Sequence, residues 1–245
     1  MRVLLEMRDV AKSFGRRPAV GRASLRVRAG TALGLNGPSG LGKSTLLEIM
    51  AGLTKPDAGR LERAVPASLM FQDGALVPWL SALENVAYVL PGDRRQAART
   101  AAGWLERFEL TPDLRPAALS GGMRRRLGLA RALCPGRELL LLDEPFAFLD
   151  QRWVEAIAQL ILEEVQKGTG VVVAGHSTPP ALAQALGRRL TVVEAAGPPL
   201  TVEAWASGEE LEATMAEACG AAETIERRTS DETKQDTPRP LINNS

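Results

Sequence analysis

Several residue types are scarce in this chain of 245 residues, and each scarcity argues against a class of protein. Histidine occurs once and cysteine twice, and Cys134 and Cys219 match no metal-ligand spacing, so a zinc site is not expected. No apolar run reaches the roughly 18 to 20 residues that cross a bilayer. The formal net charge is +1, so no overall field favours nucleic acid or an acidic membrane as a partner.

The amino-terminal residues lack an apolar stretch of signal-peptide length. We therefore expect a cytoplasmic chain whose thiols stay reduced. Basic residues outnumber acidic ones over the first 30 positions, and most of them alternate with apolar residues. We interpret them as the solvated face of strands.

Hydrophobic patterning predicts an α/β fold. Alternating apolar and polar residues are typical of half-buried strands, and short continuous apolar runs are typical of buried parallel ones. The predicted strands are 3–8, 23–28, 31–36, 68–71, 138–143, 171–174 and 190–193, and the predicted helices are 45–53, most of 81–133 and 154–165. Because strands alternate with helices, we expect a parallel sheet with a separate helical lobe at 81–133.

The carboxyl-terminal residues differ in composition from the rest. From Glu223 onward almost every residue is polar or charged. We expect 222–245 to be a disordered tail, with a regulatory role as the alternative.

A phosphate-binding loop is the strongest motif in the sequence. The pattern G-x-x-x-x-G-K-[ST] is matched in full by Gly37, Pro38, Ser39, Gly40, Leu41, Gly42, Lys43 and Ser44, and Thr45 follows. Glycines let backbone N–H groups approach phosphate oxygens, and the following helix directs its positive end at the anion. Lys43 would neutralise phosphate charge and Ser44 would bind Mg²⁺. The motif predicts a nucleotide ligand; the alternative is a ligand-free turn between a strand and a helix.

Two carboxylates follow the run of four leucines at 139–142. Asp143 can hold Mg²⁺ directly or through water, and Glu144 can polarise a water molecule for attack on the γ-phosphate. The alternative is that both acids only cap the turn at Pro145. The phosphate loop favours the catalytic interpretation.

Further motifs resemble those of the ATP-binding cassette (ABC) ATPases. Leu119-Ser120-Gly121-Gly122-Met123 resembles the family signature Leu-Ser-Gly-Gly-Gln, before a helix predicted at 124–133. The other matching elements are Gln72 of the Q-loop, Asp150 of the D-loop, His176 as the switch histidine and Phe14 as the aromatic that stacks on adenine. For Phe14 simple packing is the alternative.

The resemblance covers residues 1–205 and implies a P-loop NTPase of the ABC ATPase type. Its RecA-like core would carry an amino-terminal antiparallel β-subdomain and a helical subdomain at about 75–135, followed by a helical extension at 206–221. ATP and Mg²⁺ would be the cofactors, and Ser44, Gln72 and Asp143 would lie at the metal. Glu144, His176 and Gln72 would be the catalytic residues.

The resemblance also implies a dimer, most simply a homodimer. Each ATP would lie between the phosphate loop of one chain and Ser120, Gly121 and Gly122 of the other. Met123 departs from the family, which has glutamine there. The groups nearest phosphate are retained, so we expect activity to survive this departure.

The segment 71–86 resembles the ATPases of importers for nitrate, sulfonates and taurine. In that family it receives the transmembrane permease, which would leave Trp79 and Leu80 exposed; the alternative is that Trp79 packs inside the helical lobe. The implied protein is the ATPase of an importer, peripheral on the inner face of the membrane and served indirectly by a periplasmic or extracellular solute-binding protein.

Two rival functions remain. A non-transport ABC ATPase of DNA repair or translation would usually carry a long coiled-coil insertion or a second cassette, and neither is present in the sequence. A GTPase would be expected to carry an Asn-Lys-x-Asp motif, which is missing, and a P-loop kinase would not need Leu-Ser-Gly-Gly.

Overall fold

A computed structural model describes residues 1–204 of the chain. The strands are β1 (Val3–Phe14), β2 (Arg17–Arg28), β3 (Ala32–Asn36), β4 (Ala58–Arg63), β5 (Ala67–Met70), β6 (Leu139–Asp143), β7 (Gly170–Gly175), β8 (Leu190–Glu194) and β9 (Leu200–Ala204). The helices are α1 (Lys43–Ala51), α2 (Ala82–Ala87), α3 (Arg94–Arg107), α4 (Gly121–Leu133), α5 (Gln151–Gln166) and α6 (Pro180–Leu186). The predicted helical extension at 206–221 and the predicted tail at 222–245 lie outside the described residues.

A parallel sheet of order β5-β6-β7-β3-β8 forms the centre of the fold. β6 and β3 are buried along their whole length. Continuous apolar runs suit this position because helices cover both faces of a parallel sheet. The sheet confirms the predicted α/β class, and its carboxyl edge is where such folds bind ligands.

A second sheet has the order β4-β1-β2-β9. β1 pairs antiparallel with β2 and β4, but β9 pairs parallel with β2, so the sheet is mixed rather than fully antiparallel as we expected. The patterning also missed β4 and β9. β4 is an edge strand that is exposed at most positions, so it lacks the alternation that identifies half-buried strands.

The helical lobe is formed by α2, α3 and α4. Trp104, Phe108 and Trp153 stack in series, with ring centroids 6.2 and 6.1 Å apart, which packs the lobe against α5. Within residues 1–204, no helix has both the length and the apolar character needed to cross a membrane.

Two helix starts differ from the sequence-based prediction. α1 begins at Lys43 rather than Thr45, and α4 begins at Gly121 rather than Arg124. Gly121 and Gly122 concealed the start of α4 because glycine is a poor helix former by propensity. The start of α4 matters for function, since it moves the helix amino terminus onto the signature residues expected to meet phosphate.

Candidate functional site

The phosphate loop connects β3 to α1 at the carboxyl edge of the parallel sheet. Gly42 has φ of +114°, and a Cβ there would lie 2.2 Å from the carbonyl oxygen of Ala19. The position therefore excludes any side chain. The Leu46 N–H donates to the Gly42 carbonyl at 2.9 Å, so the first turn of α1 continues directly from the loop. The loop and helix together present backbone N–H groups to an anion.

The Lys43 ammonium group is buried inside the loop. Its Nζ donates to the carbonyl oxygens of Gly37 at 2.6 Å and Pro38 at 2.9 Å. Burial lowers the pKa of Lys43, while the carboxylates of Glu144 and Asp143 act in the opposite direction. A cation is thus held near the two acids in a partly dry environment, where electrostatic interactions are screened less than in water.

The acidic pair lies at the carboxyl end of β6. Asp143 is only 4% exposed, and burial raises the pKa of its carboxyl group, although a hydrogen bond from Ser44 opposes the rise. Glu144 has φ of +52°, and its N–H donates to the Ala174 carbonyl at 2.8 Å. Such a backbone conformation in a non-glycine residue is uncommon and concentrates at functional sites.

His176 follows β7 and reaches both the acidic pair and the phosphate loop. Its Nε2 lies 2.9 Å from Ser39 Oγ and 3.8 Å from Glu144 Oε1. The contact to Ser39 was not anticipated from the sequence. It joins the loop after β7 to the loop after β3, two neighbouring strands of the sheet.

One cavity of about 370 Å³ collects half of the predicted nucleotide-binding residues, together with Gln72, Asp143 and Glu144. Its lining comprises Phe14, Arg17, Pro18, Ala19, Ser39, Gly40, Gly42, Lys43, Ser44, Thr45, Gln72, Asp143 and Glu144. The sequence-based prediction missed the stretch 17–19. The hairpin formed by β1 and β2 could have indicated these residues. Arg17 pairs with Phe14 across the two strands, so both residues lie at the same wall of the cavity.

The donors in this cavity fit Mg²⁺. Asp143 is buried and is hydrogen-bonded by Ser44, and Gln72 lines the same space. These three side chains offer a carboxylate, a hydroxyl and an amide oxygen, which is the hard donor set that Mg²⁺ prefers.

A second cavity of about 420 Å³ lies at the signature segment. Its lining includes Ser120, Gly121, Gly122 and Asp150, none of which lines the first cavity. The structure of one chain therefore does not bring the signature to its own phosphate loop. A Cβ on Gly122 would lie 3.0 Å from the Phe148 carbonyl oxygen, which leaves little room for a side chain.

Two residues of the second cavity cap helices, which the sequence-based prediction did not include. The Ser120 side chain accepts from the Met123 N–H at 3.2 Å at the start of α4. The Asp150 side chain accepts from the Trp153 N–H at 2.9 Å at the start of α5. Two helix amino termini, each with a positive partial charge, thus face this cavity.

The segment after Gln72 presents an exposed aromatic side chain. Trp79 is 72% exposed, which excludes the alternative of packing inside the helical lobe. Leu80, which we also expected to be exposed, is instead half-buried. Asn85 holds the segment from below: its Oδ1 accepts from the Val77 N–H at 2.8 Å, and its Nδ2 lies 3.0–3.1 Å from the carbonyl oxygens of Val77, Leu80 and Ser81.

The α/β sheet, the phosphate loop and the acidic pair together define a P-loop protein of the nucleoside-triphosphate-binding class. A family model described as ABC transporter matches residues 20–147, which is half of the chain. The chain belongs to the ABC transporter family.

Named relatives agree with this assignment. The taurine import ATP-binding protein of Pseudomonas aeruginosa (strain UCBPP-PA14) is 39% identical over 233 residues, covering 89% of this chain and 85% of the relative. The spermidine/putrescine import ATP-binding protein of Chromobacterium violaceum is 38% identical over 206 residues, covering 78% of this chain. An aliphatic sulfonates import ATP-binding protein of the same Pseudomonas strain is 42% identical over 165 residues, covering 64% of this chain. The last two matches span only 57% and 60% of those relatives' lengths.

Two solved structures of dimeric ATP-binding cassettes share the fold. Their TM-scores are 0.68 and 0.69, at 28% and 27% sequence identity. The matches cover 77% and 78% of this chain and 94% of each cassette. The first is a post-hydrolysis state bound to ADP and Pi.

Proposed function

We propose that this chain is the ATP-hydrolysing subunit of an importer and that it works as a dimer of cassettes. The observation that carries the proposal is the division of one catalytic set between two separate cavities. The first holds the phosphate loop with Asp143 and Glu144, and the second holds Ser120 and Gly122. Two chains placed head to tail would complete both sites.

Lys43, Ser44 and Asp143 bind the charged end of the nucleotide in this proposal. Lys43 neutralises β- and γ-phosphate charge, and backbone N–H groups of the loop hold the remaining oxygens. Ser44, Asp143 and Gln72 would hold Mg²⁺, which neutralises charge that develops on the phosphates. Phe14 is 54% exposed at the cavity wall and can stack on the adenine ring.

Glu144 is the proposed catalytic base. It lies in the same cavity as Lys43 and can accept a proton from the water that attacks the γ-phosphate. His176 would orient the attacking water and the γ-phosphate, and its Nε2 lies 3.8 Å from the Glu144 carboxylate. Gln72 joins this cavity to the segment that carries Trp79.

The segment around Trp79 is the proposed docking surface for a transmembrane permease. An exposed tryptophan held on a rigid segment suits a protein contact. The chain would then lie on the inner face of the membrane, with a solute-binding protein as an indirect partner. Taurine and aliphatic sulfonates appear in the names of several relatives, so we propose import of the nitrate, sulfonate or taurine type.

The Glu144→Gln variant tests the dimer and the base together. The amide cannot accept the proton, so we expect ATP to bind but not to be hydrolysed, and the dimer to persist. Gel filtration with Mg-ATP should then give a dimer for the variant, with ADP as the control nucleotide. A variant that binds ATP but stays monomeric would contradict the dimer model.

A further inference from the structure

Two arginines of α4 hold the backbone of the Gln72 segment, which we define as residues 72–75. Arg125 donates through Nη1 to the carbonyl oxygen of Gln72. Arg131 donates to the carbonyl oxygens of Ala75 at 2.8 Å and Gly74 at 2.7 Å. Three of the four carbonyl groups of this short segment are therefore bound by guanidinium groups from one helix.

The backbone of the Gln72 segment is shaped for this contact. Gly74 and Ala75 both have positive φ, at +78° and +41°. A Cβ added to Gly128 of α4 would lie 3.4 Å from the Gly74 Cα, so the segment lies directly against the helix. The positive φ of Ala75 costs conformational energy in a non-glycine residue, and the hydrogen bond from Arg131 helps to offset it.

Arg125 also reaches the loop that follows the acidic pair. It is 6% exposed, and its guanidinium carbon lies 5.9 Å from the centroid of the Phe148 ring. Burial lowers the pKa of Arg125, and the carboxylates of Glu144, Asp143 and Asp73 counteract the effect. A buried charge needs compensation. Here the Gln72 carbonyl and the Phe148 ring are in contact with the guanidinium group, and the acids contribute a favourable Coulombic interaction.

The position of α4 gives these contacts a functional meaning. Ser120 and Gly122, at the amino end of α4, line the second cavity. Arg125, further along the same helix, binds the backbone of Gln72, which lines the first cavity. We therefore expect a shift of α4 to displace the Gln72 backbone through these hydrogen bonds.

We propose that Arg125 and Arg131 are positioning residues that clamp the Gln72 segment to α4 and thereby couple the two half-sites of one chain. This inference rests on the proposed function, in which each half-site belongs to a different ATP. Nucleotide bound at the phosphate loop would bias α4 through Gln72, and γ-phosphate bound by Ser120 would bias Gln72 through α4. The clamp also carries the motion to the segment with Trp79.

The test uses Arg125→Gln and Arg131→Gln in the full chain, with Arg107→Gln as the matched control. Arg107 makes an exposed ion pair with Glu163 at 2.6 Å and lies outside both cavities. The Arg125→Lys variant keeps the positive charge but not the guanidinium group, and it replaces Arg125→Gln in the test if that variant does not fold. The readouts are the dissociation constant for ATP, kcat, and amide hydrogen exchange with and without Mg-ATP.

We expect the affinity for ATP measured without Mg²⁺ to stay within about twofold of the original chain, because the phosphate loop is untouched. We expect kcat to fall about tenfold, since Gln72 loses its fixed position. Mg-ATP should still protect residues 37–45 from exchange but no longer protect 72–80. The Arg107→Gln control should match the unaltered chain in ATP affinity, in kcat and in hydrogen exchange.

Two results would overturn the clamp. In the first, Mg-ATP still protects the amides of 72–80 from hydrogen exchange in the variants, as it does in the unaltered chain. That result would mean that the arginines only stabilise the fold, even if the variants are less stable. The other is an unaltered chain in which Mg-ATP never protects 72–80. If the unaltered chain does not hydrolyse ATP, the proposed function is wrong. The hydrogen-exchange measurement would still show whether Arg125 and Arg131 couple residues 72–80 to bound Mg-ATP.

Discussion

At the scale of single residues, the candidate site depends on backbone positions as much as on reactive side chains. Glu144 reaches the cavity from a left-handed conformation at the end of β6, with its N–H fixed on the Ala174 carbonyl. Lys43 is buried and hydrogen-bonded to two loop carbonyls. These groups are held before ligand arrives, which lowers the cost of ordering them on binding.

Gly42→Ala should be strongly destabilising. The new methyl group would overlap the Ala19 carbonyl oxygen at 2.2 Å in a conformation with φ of +114°. We expect a loss of about 3 kcal/mol or more in the free energy of unfolding, together with loss of ATP binding. Urea denaturation and equilibrium binding measure the two effects.

Gly40→Ala is the matched comparison for that prediction. Gly40 also has positive φ, but a Cβ there meets no atom within 4 Å. Only the backbone penalty remains, so the loss should be about 1–2 kcal/mol. Equal losses in the two variants would contradict the steric argument.

At the scale of elements, the sequence predicted all five strands of the parallel sheet but only two of the four strands of the mixed sheet, β1 and β2. Runs such as Leu139–Leu142 predicted buried strands because burial on both faces leaves an unbroken apolar pattern. β4 is largely exposed, and β9 pairs in parallel with a strand far away in sequence, so local patterning did not reveal either strand.

The same limit applies to the site. The phosphate loop and acidic pair were predictable because each is a contiguous motif. The contact of Ser39 with His176 spans 137 positions, and the contact of Arg125 with Gln72 spans 53. Contacts of that kind depend on which strands and helices are neighbours, and no local pattern encodes that.

Asn85 anchors the segment 77–81 through hydrogen bonds to its backbone. Asn85 is 1% exposed, and its side-chain amide accepts a hydrogen bond from one backbone N–H and donates to three backbone carbonyl groups. We expect Asn85→Ala to lower the free energy of unfolding by about 2–3 kcal/mol, because these buried polar groups lose their partner. Chemical denaturation followed by circular dichroism measures the loss.

Ser81→Ala is the control for Asn85→Ala. Ser81 forms a capping box with Glu84 at the start of α2, on the same segment, but it is only half-buried. Its removal should cost about 1 kcal/mol. If Asn85→Ala costs no more than this control, the segment is anchored by something else.

At the scale of the whole molecule, the two separate cavities predict that activity is shared between chains. Lys43→Ala disables the phosphate loop, and Ser120→Glu places a carboxylate where the partner's γ-phosphate would lie. Each variant alone should be inactive. In a mixed dimer, however, the intact loop of one chain faces the intact signature of the other, and one complete site is restored.

Mixing the two purified variants in equal amounts should therefore recover ATP hydrolysis that neither shows alone. A double variant carrying both substitutions in one chain is the control, and mixing it with the unaltered chain should leave no complete site in the mixed dimer. Mixed dimers that form without any recovery would contradict the shared-site arrangement.

His176 is the only histidine in the sequence, and it lies 2.9 Å from the phosphate loop and 3.8 Å from the acidic pair. Its imidazole ring protons therefore give the only histidine signals in a proton nuclear magnetic resonance spectrum, so these signals need no assignment among several histidines. Nucleotide arrival, turnover and release at the γ-phosphate end of the site could be followed in real time through that one ring, without labels or added probes.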